Sequence, residues 1–212
     1  LGGAGAGGLA QIGKEIIPSF LTVIDDPTEN EVQGIALNGR YAVDDEGVAA
    51  QRVVLVESGV LKNFLLSRRP VSGFNRSNGH GRAAPGRQPM GRAGNLLLTA
   101  AKTHPRERLV EMLRAECRRR GKTHGILVRR ARHWRQQDST GQHQAFRLLP
   151  TRVELVDAAT GETTLARDLD LVGTPLDLAG KILAAGDDAE AVNAFVDDAS
   201  GTLPASAVSP SL

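Results

Sequence analysis

The sequence predicts an α+β fold of mixed, mainly antiparallel sheets with two principal helices, over about 103–121 and 174–186. Three observations carry that expectation. Strand-like apolar stretches stand on both sides of the first helical segment. Two segments carry helix start and stop signals together. No strand–helix–strand unit repeats, which disfavours a doubly wound parallel sheet.

Taken in order, residues 1–10 are Gly, Ala and Leu alone and are expected to form a flexible segment, because they bury too little to offset their ordering entropy. Residues 11–212 are then the domain. Gly3, Gly5 and Gly8 match G-x-G-x-x-G, but no strand precedes them, so a dinucleotide fingerprint is disfavoured even though Asp25 and Asp26 follow near the required distance. Residues 19–24 read as a strand ending in the turn Asp25-Asp26-Pro27-Thr28. Residues 51–57 and 60–67 flank Ser58-Gly59, a two-residue connection with hairpin chemistry. Residues 72–94, rich in Gly, Pro and Arg, form a long loop of a length that is commonly functional.

The first helix has Thr103 as N-cap, Pro105 in its first turn and Gly121 past its end. Leu109, Leu113 and Cys117 fall on one apolar face, with arginines on the others. Residues 125–128, 146–156 and 163–172 read as strands, the last two joined at Ala158-Ala159-Thr160-Gly161 in a meander. The second helix takes Thr174 as N-cap, Pro175 as its first residue, Asp177 in its first turn and Gly186 just past its end.

At 212 residues, with 41% hydrophobic and 24% charged side chains, the chain has the composition of a globular domain. Its net charge of +2 conceals a division: residues 106–135 hold eleven Lys or Arg against three Glu, and residues 151–201 hold eleven acids against three bases. No apolar run approaches the ~20 residues that cross a bilayer. A single cysteine, Cys117, excludes an intrachain disulfide, and excludes zinc sites of four cysteines or two cysteines and two histidines from this chain alone. A reducing, cytoplasmic setting is expected. The chain starts at Leu1 without a secretory signal, and is read as a processed product or part of a longer polypeptide.

His80, His104, His124, His133 and His143 include no i, i+3 or i, i+4 pair, so a helix-borne metal motif is absent and each reads first as a loop or surface residue. Cys117, on the apolar helix face, reads as a packing residue. Neither G-x-S-x-G nor a Walker A sequence occurs. Asp44-Asp45-Glu46-Gly47 concentrates three carboxylates that suit a cation, a peptide amine or a solvated turn. The basic helix suits phosphate, but aromatic residues at 3% are too few for a stacking platform, and the acidic segment repels nucleic acid.

Several segments together resemble the C-terminal half of the TldD/PmbA (modulator-of-DNA-gyrase) zinc metallopeptidases. They are Gln11-Ile12-Gly13-Lys14-Glu15-Ile16-Ile17, Ile24-Asp25-Asp26-Pro27-Thr28, Asn38-Gly39, Asp44-Asp45-Glu46-Gly47-Val48, Ser67-Arg68 and Ser77-Asn78-Gly79-His80-Gly81-Arg82. The similarity resumes at Gly173-Thr174-Pro175-Leu176, at Ala184-Ala185-Gly186-Asp187-Asp188 and over 206–212.

The resemblance implies a zinc peptidase acting on peptides, with two histidines from an H-E-x-x-x-H helix upstream of this chain and a cysteine near the C-terminus. Val196 aligns with that cysteine, and a one-residue shift would align Asp197. An aliphatic side chain has no lone pair for zinc, so this chain alone is expected to be inactive as a peptidase and to carry no cofactor. It resembles a degenerate, non-catalytic subunit that completes a peptide channel with a metal-bearing TldD/PmbA-type partner, zinc residing in that partner. Within that reading Asp44, Asp45, Glu46, Arg68, Asn78, His80 and Arg82 are candidates for holding a peptide backbone or its termini, and turn and loop formation remains open for all seven. A fragment of a complete zinc peptidase and a basic-patch nucleic-acid binder are the alternatives.

Overall fold

The structure is a computed structural model that describes residues 6–136 and 146–212. It is α+β, with a six-stranded sheet, a four-stranded sheet and two short two-stranded ribbons. Half of the segment expected to be flexible, residues 1–5, precedes the described residues; Ala6–Leu9 forms one helical turn, α1, and Leu9 packs against the core.

Strand β1 (Leu21–Asp25) buries alternate residues, Leu21, Val23 and Asp25, so one face meets the core and an acid stands at its end. A short arm, β2 (Glu31–Val32) and β3 (Ile35–Ala36), follows. Then β4 (Val53–Glu57) and β5 (Val60–Leu61) form the expected hairpin, with Ser58 at φ 45° and Gly59 at φ 82°, the left-handed pair that a type I′ turn requires. The second arm of that hairpin is shorter than expected: ladder pairing stops at Leu61, where Lys62 and Asn63 N–H both turn onto the Leu55 carbonyl, and Phe64 and Leu66 bond the Asn78 side chain instead.

The long loop contains the ribbon β6 (Gly81–Arg82) and β7 (Met90–Gly91), and β8 (Asn95–Ala100) leaves it to pair antiparallel with β1. Helix α2 (Arg106–Arg119) begins after Pro105 rather than Thr103, with no side-chain cap, and ends where Gly121 takes φ 64°. It packs on β9 (His124–Gln136), where Leu113 lies so close to Gly125 that a Cβ would come within 2.7 Å of its Cγ. Cys117 is buried there, as its face predicts.

The strand expected over 163–172 is two strands, β11 (Thr163–Ala166) and β12 (Leu171–Gly173), both paired with β10 (Phe146–Asp157). The register carries straight across the gap and sets Leu169 opposite Pro150, which has no N–H to donate to a ladder. Asp168 takes φ 57° within the interruption.

The second principal helix is a correction. Only Pro175–Ala179, α3, is helical. Ala185 and Gly186 are drawn instead into an extended bridge: His104 N–H bonds the Ala185 carbonyl at 2.9 Å and Gly186 N–H bonds the Ser211 carbonyl at 2.8 Å. Gly186 is thus a strand-like contact and no helix terminator.

The final hairpin, β13 (Glu190–Asp198) and β14 (Gly201–Ser209), completes the large sheet in the order β13-β14-β8-β1-β4-β5, with β14 parallel to β8. Its core gathers Ile17, Leu21, Val23, Val53, Leu55, Val56, Leu61, Phe64, Leu66 and Ala185. Burying each large aliphatic side chain contributes about 1.5–3 kcal/mol. Strand β13 is the edge, exposed on both faces.

Candidate functional site

The end of β1 organises the loops. Asp25 and His80 are both fully buried, and His80 Nε2 stands 3.0 Å from Asp25 Oδ1. The other ring nitrogen, Nδ1, lies 2.9 Å from the Asn78 carbonyl, which only accepts, so Nδ1 carries a proton. Gly94 N–H donates to both Asp25 carboxylate oxygens at 3.0 and 3.1 Å. A buried carboxylate is thus enclosed by an imidazole and a backbone amide, the pairing that such burial demands.

Arg82 extends this centre. Its guanidinium donates to the carbonyls of Ala93 and Pro204, the latter at 2.8 Å, and lies 4.9 Å from the centroid of the Tyr41 ring. Tyr41 donates its hydroxyl to the Gly79 carbonyl at 2.9 Å and meets His80 edge-on. Burial pushes the Tyr41 hydroxyl pKa up, against the opposing pull of the Arg82 charge. Burial likewise lowers the pKa of Arg82, with Tyr41 and Asp45 opposing. Arg92 donates to Ser200 Oγ at 2.8 Å and to the Val196 carbonyl at 3.1 Å. The two buried arginines therefore tie the long loop to the β13–β14 hairpin.

The acidic turn grips the same loop. Asp44 accepts from Glu46 and Val48 N–H through Oδ1, and from Gly81 N–H at 2.8 Å through Oδ2. Asp45 accepts from Ala83 N–H at 2.7 Å. Glu46 Oε2 accepts from Arg68 N–H at 2.5 Å. Asn78 bridges residues 64–66, its Oδ1 accepting from Leu66 N–H and its Nδ2 donating to the Phe64 carbonyl, each at 2.8 Å.

All seven residues singled out from the sequence therefore lie in one constellation, formed by the loops over 40–50, 64–70 and 77–95. Six of them have side chains bonded to backbone or to one another, so they order the loops. Arg68 is the exception: its backbone is held and its side chain is exposed, at a shallow hollow of about 280 Å³ lined by Glu46, Arg68, Arg69, Gln88 and Pro89. Sequence reasoning missed Asp25, Tyr41, Arg92 and Ser200 as members. Asp25 had a usable signal, an acid on the inward phase of β1.

The residues do not fit the zinc that the family resemblance implies. Val196, opposite Leu203 in β13, offers no donor side chain. Asp197 Oδ1 accepts the Thr202 hydroxyl. Among the described residues no group of three or more His, Cys, Asp or Glu is disposed to share a metal ion.

The architecture matches solved structures. TldE from Thermococcus kodakarensis has a TM-score of 0.59 at 16% identity, over 94% of this chain and 39% of that one. A proposed modulator of DNA gyrase from Thermotoga maritima has a TM-score of 0.60 at 20% identity, with the same coverage. At those identities the likeness concerns the fold. Among curated proteins, a metalloprotease from Methanothermobacter thermautotrophicus is 39% identical over 89 residues, 42% of this chain and 18% of that protein. A TldD-homologous metalloprotease from Buchnera aphidicola is 30% identical over 95 residues, 43% of this chain and 18% of that protein. These matches span less than a fifth of the curated relatives and about two fifths of the solved chains. Fold and loop sequences together define a metallopeptidase C-terminal domain. The chain belongs to the PmbA/TldA metallopeptidase C-terminal domain family, whose model matches residues 7–212. No helix of the described residues is long and apolar enough to cross a membrane.

Proposed function

We propose that this chain serves as the non-catalytic, scaffold and substrate-channel part of a cytoplasmic TldD/PmbA-type peptidase assembly. Zinc and the H-E-x-x-x-H helix are supplied by a partner subunit, and peptides are the substrate. The observation that carries the reading is position 196. The residue aligned with the family's cysteine is valine, and its carbonyl accepts from the Arg92 guanidinium at 3.1 Å. A fixed cation beside that strand opposes the approach of a second one. Asp197, the alternative ligand, is already engaged with Thr202.

What this chain contributes is order. The Asp44, Asp45 and Glu46 carboxylates and the Asn78 amide hold loop backbone in one arrangement, which lowers the entropic cost of receiving an extended peptide. Purification of the native complex, with mass spectrometry of every chain and zinc analysis, tests the proposal. The expected result is a partner bearing its own histidine helix and cysteine, with about one zinc per pair, the stoichiometry of a single catalytic site. Stoichiometric zinc held by this chain alone would overturn it and favour a fragment of a complete enzyme.

A further inference from the structure

From Ser58 to Arg106 the sequence holds nine Lys or Arg and no Asp or Glu. Arg82 and Arg92 are buried and consumed by carbonyls and a hydroxyl. Arg68 and Arg69 are different. Both are exposed, and neither guanidinium has a hydrogen bond or ion pair among the described residues. Their backbones are nevertheless fixed: Arg68 N–H donates to Glu46 Oε2 at 2.5 Å, and Arg69 N–H donates to the buried Ser67 hydroxyl at 3.3 Å.

Two adjacent cations on ordered backbone, with unspent side chains, line the shallow hollow together with Glu46, Gln88 and Pro89, an arrangement that suits an anion. Its charge selects the anion. Arg68, Arg69 and Glu46 carry a formal sum of one positive charge in the lining, which balances a monoanion better than a phosphate dianion. The guanidinium fork suits a carboxylate bidentately, and the Gln88 amide adds donors of its own.

We propose that Arg68 and Arg69 form a carboxylate-binding subsite that anchors a carboxylate-bearing peptide. The peptide part of this inference rests on the function proposed above, whereas the carboxylate site does not. The subsite takes one chemical group from either of two sources, a peptide C-terminus or an Asp or Glu side chain.

The test uses the full chain in solution. N-acetylglycine and N-acetylglycinamide are titrated at constant ionic strength while backbone amide resonances of residues 68, 69 and 88 are followed by NMR. Labelled penta-alanine as free acid, as amide, and as amide with one Glu is titrated in parallel by fluorescence anisotropy. The expected result is saturable shifts with N-acetylglycine only, and at least tenfold weaker binding of carboxylate peptides to R68Q/R69Q. Because both side chains are exposed, that variant should keep the wild-type thermal midpoint, which separates lost binding from lost folding. Preference for the free acid over the Glu-containing amide identifies the terminus as the source; the reverse identifies a side chain. Equal shifts with the amide compound, or R68Q/R69Q binding within twofold of wild type, overturns the subsite. Peptides binding irrespective of carboxylate would leave the peptide reading standing while the subsite falls. N-acetylglycine shifting these amides while no peptide binds would do the opposite.

Discussion

Asp25 and His80 are separated by 55 residues and meet with no solvent between them, so each is the condition for the other's burial. Truncating His80 leaves a carboxylate with only the Gly94 amide, and breaking a buried pair in this way costs about 3–5 kcal/mol. H80A should lower the urea midpoint accordingly, and D25N/H80Q, which removes the stranded charge, should recover part of the loss. Tyr41 adds a pH dependence. The unfolded chain releases its phenolic proton near the ordinary tyrosine value of about 10, while the folded site holds that proton to higher pH because it is buried. The associated stability is fully present below about pH 10 and is lost as pH rises through the folded value. Unfolding midpoints above about pH 10 should fall more steeply for the wild type than for Y41F.

At the scale of elements, the long loop is held by its close approach to the acidic turn. Gly79 takes φ 73°, and a Cβ there would stand 2.2 Å from the Ala49 carbonyl oxygen. Gly79→Ala combines left-handed strain with a clash against backbone that cannot rotate aside. A loss of about 2 kcal/mol or more is expected, read by denaturant unfolding, together with faster amide exchange over 77–82. The pattern of success and failure in reading elements follows the same logic. The β4–β5 hairpin and the C-terminal end of α2 were legible because Ser58, Gly59 and Gly121 meet local dihedral demands. The helix expected over 174–186 carries equally good local signals, but its second half is more strongly held as an extended segment by His104 and Ser211. Likewise the single strand over 163–172 is divided by a proline in its neighbour, which no inspection of 163–172 reveals.

Across the whole molecule, the opposed charges of residues 106–135 and 151–201 meet. Strands β9 and β10 pair along their length, Arg129 contacts Glu154 at 2.8 Å, and Arg114 and Arg118 donate to the carbonyls of Ala159 and Ala158. The basic segment is thereby partly spent within the chain. Surface pairs of this kind contribute about 0–1 kcal/mol each, so they set register more than stability. The large sheet ends at β13, where Val192 and Phe195 are 61% and 71% exposed, and position 196 stands on the same strand. The strand that carries position 196 therefore lies at the open edge of the sheet among the described residues.

The sequence by itself determined the fold class, the local turns and the family, because each rests on residue chemistry within a few positions or on ordered motif spacing. Only the tertiary structure decided which of those residues are spent. Asp44, Asp45, Glu46, Asn78, His80 and Arg82 close bonds inside the loops, and Arg82 reaches a carbonyl 122 residues away, whereas the Arg68 side chain is left exposed with no bond among the described residues. Hydrogen-bond partners brought together across the chain satisfy buried polar groups, and a residue's neighbours in sequence do not reveal which groups those will be.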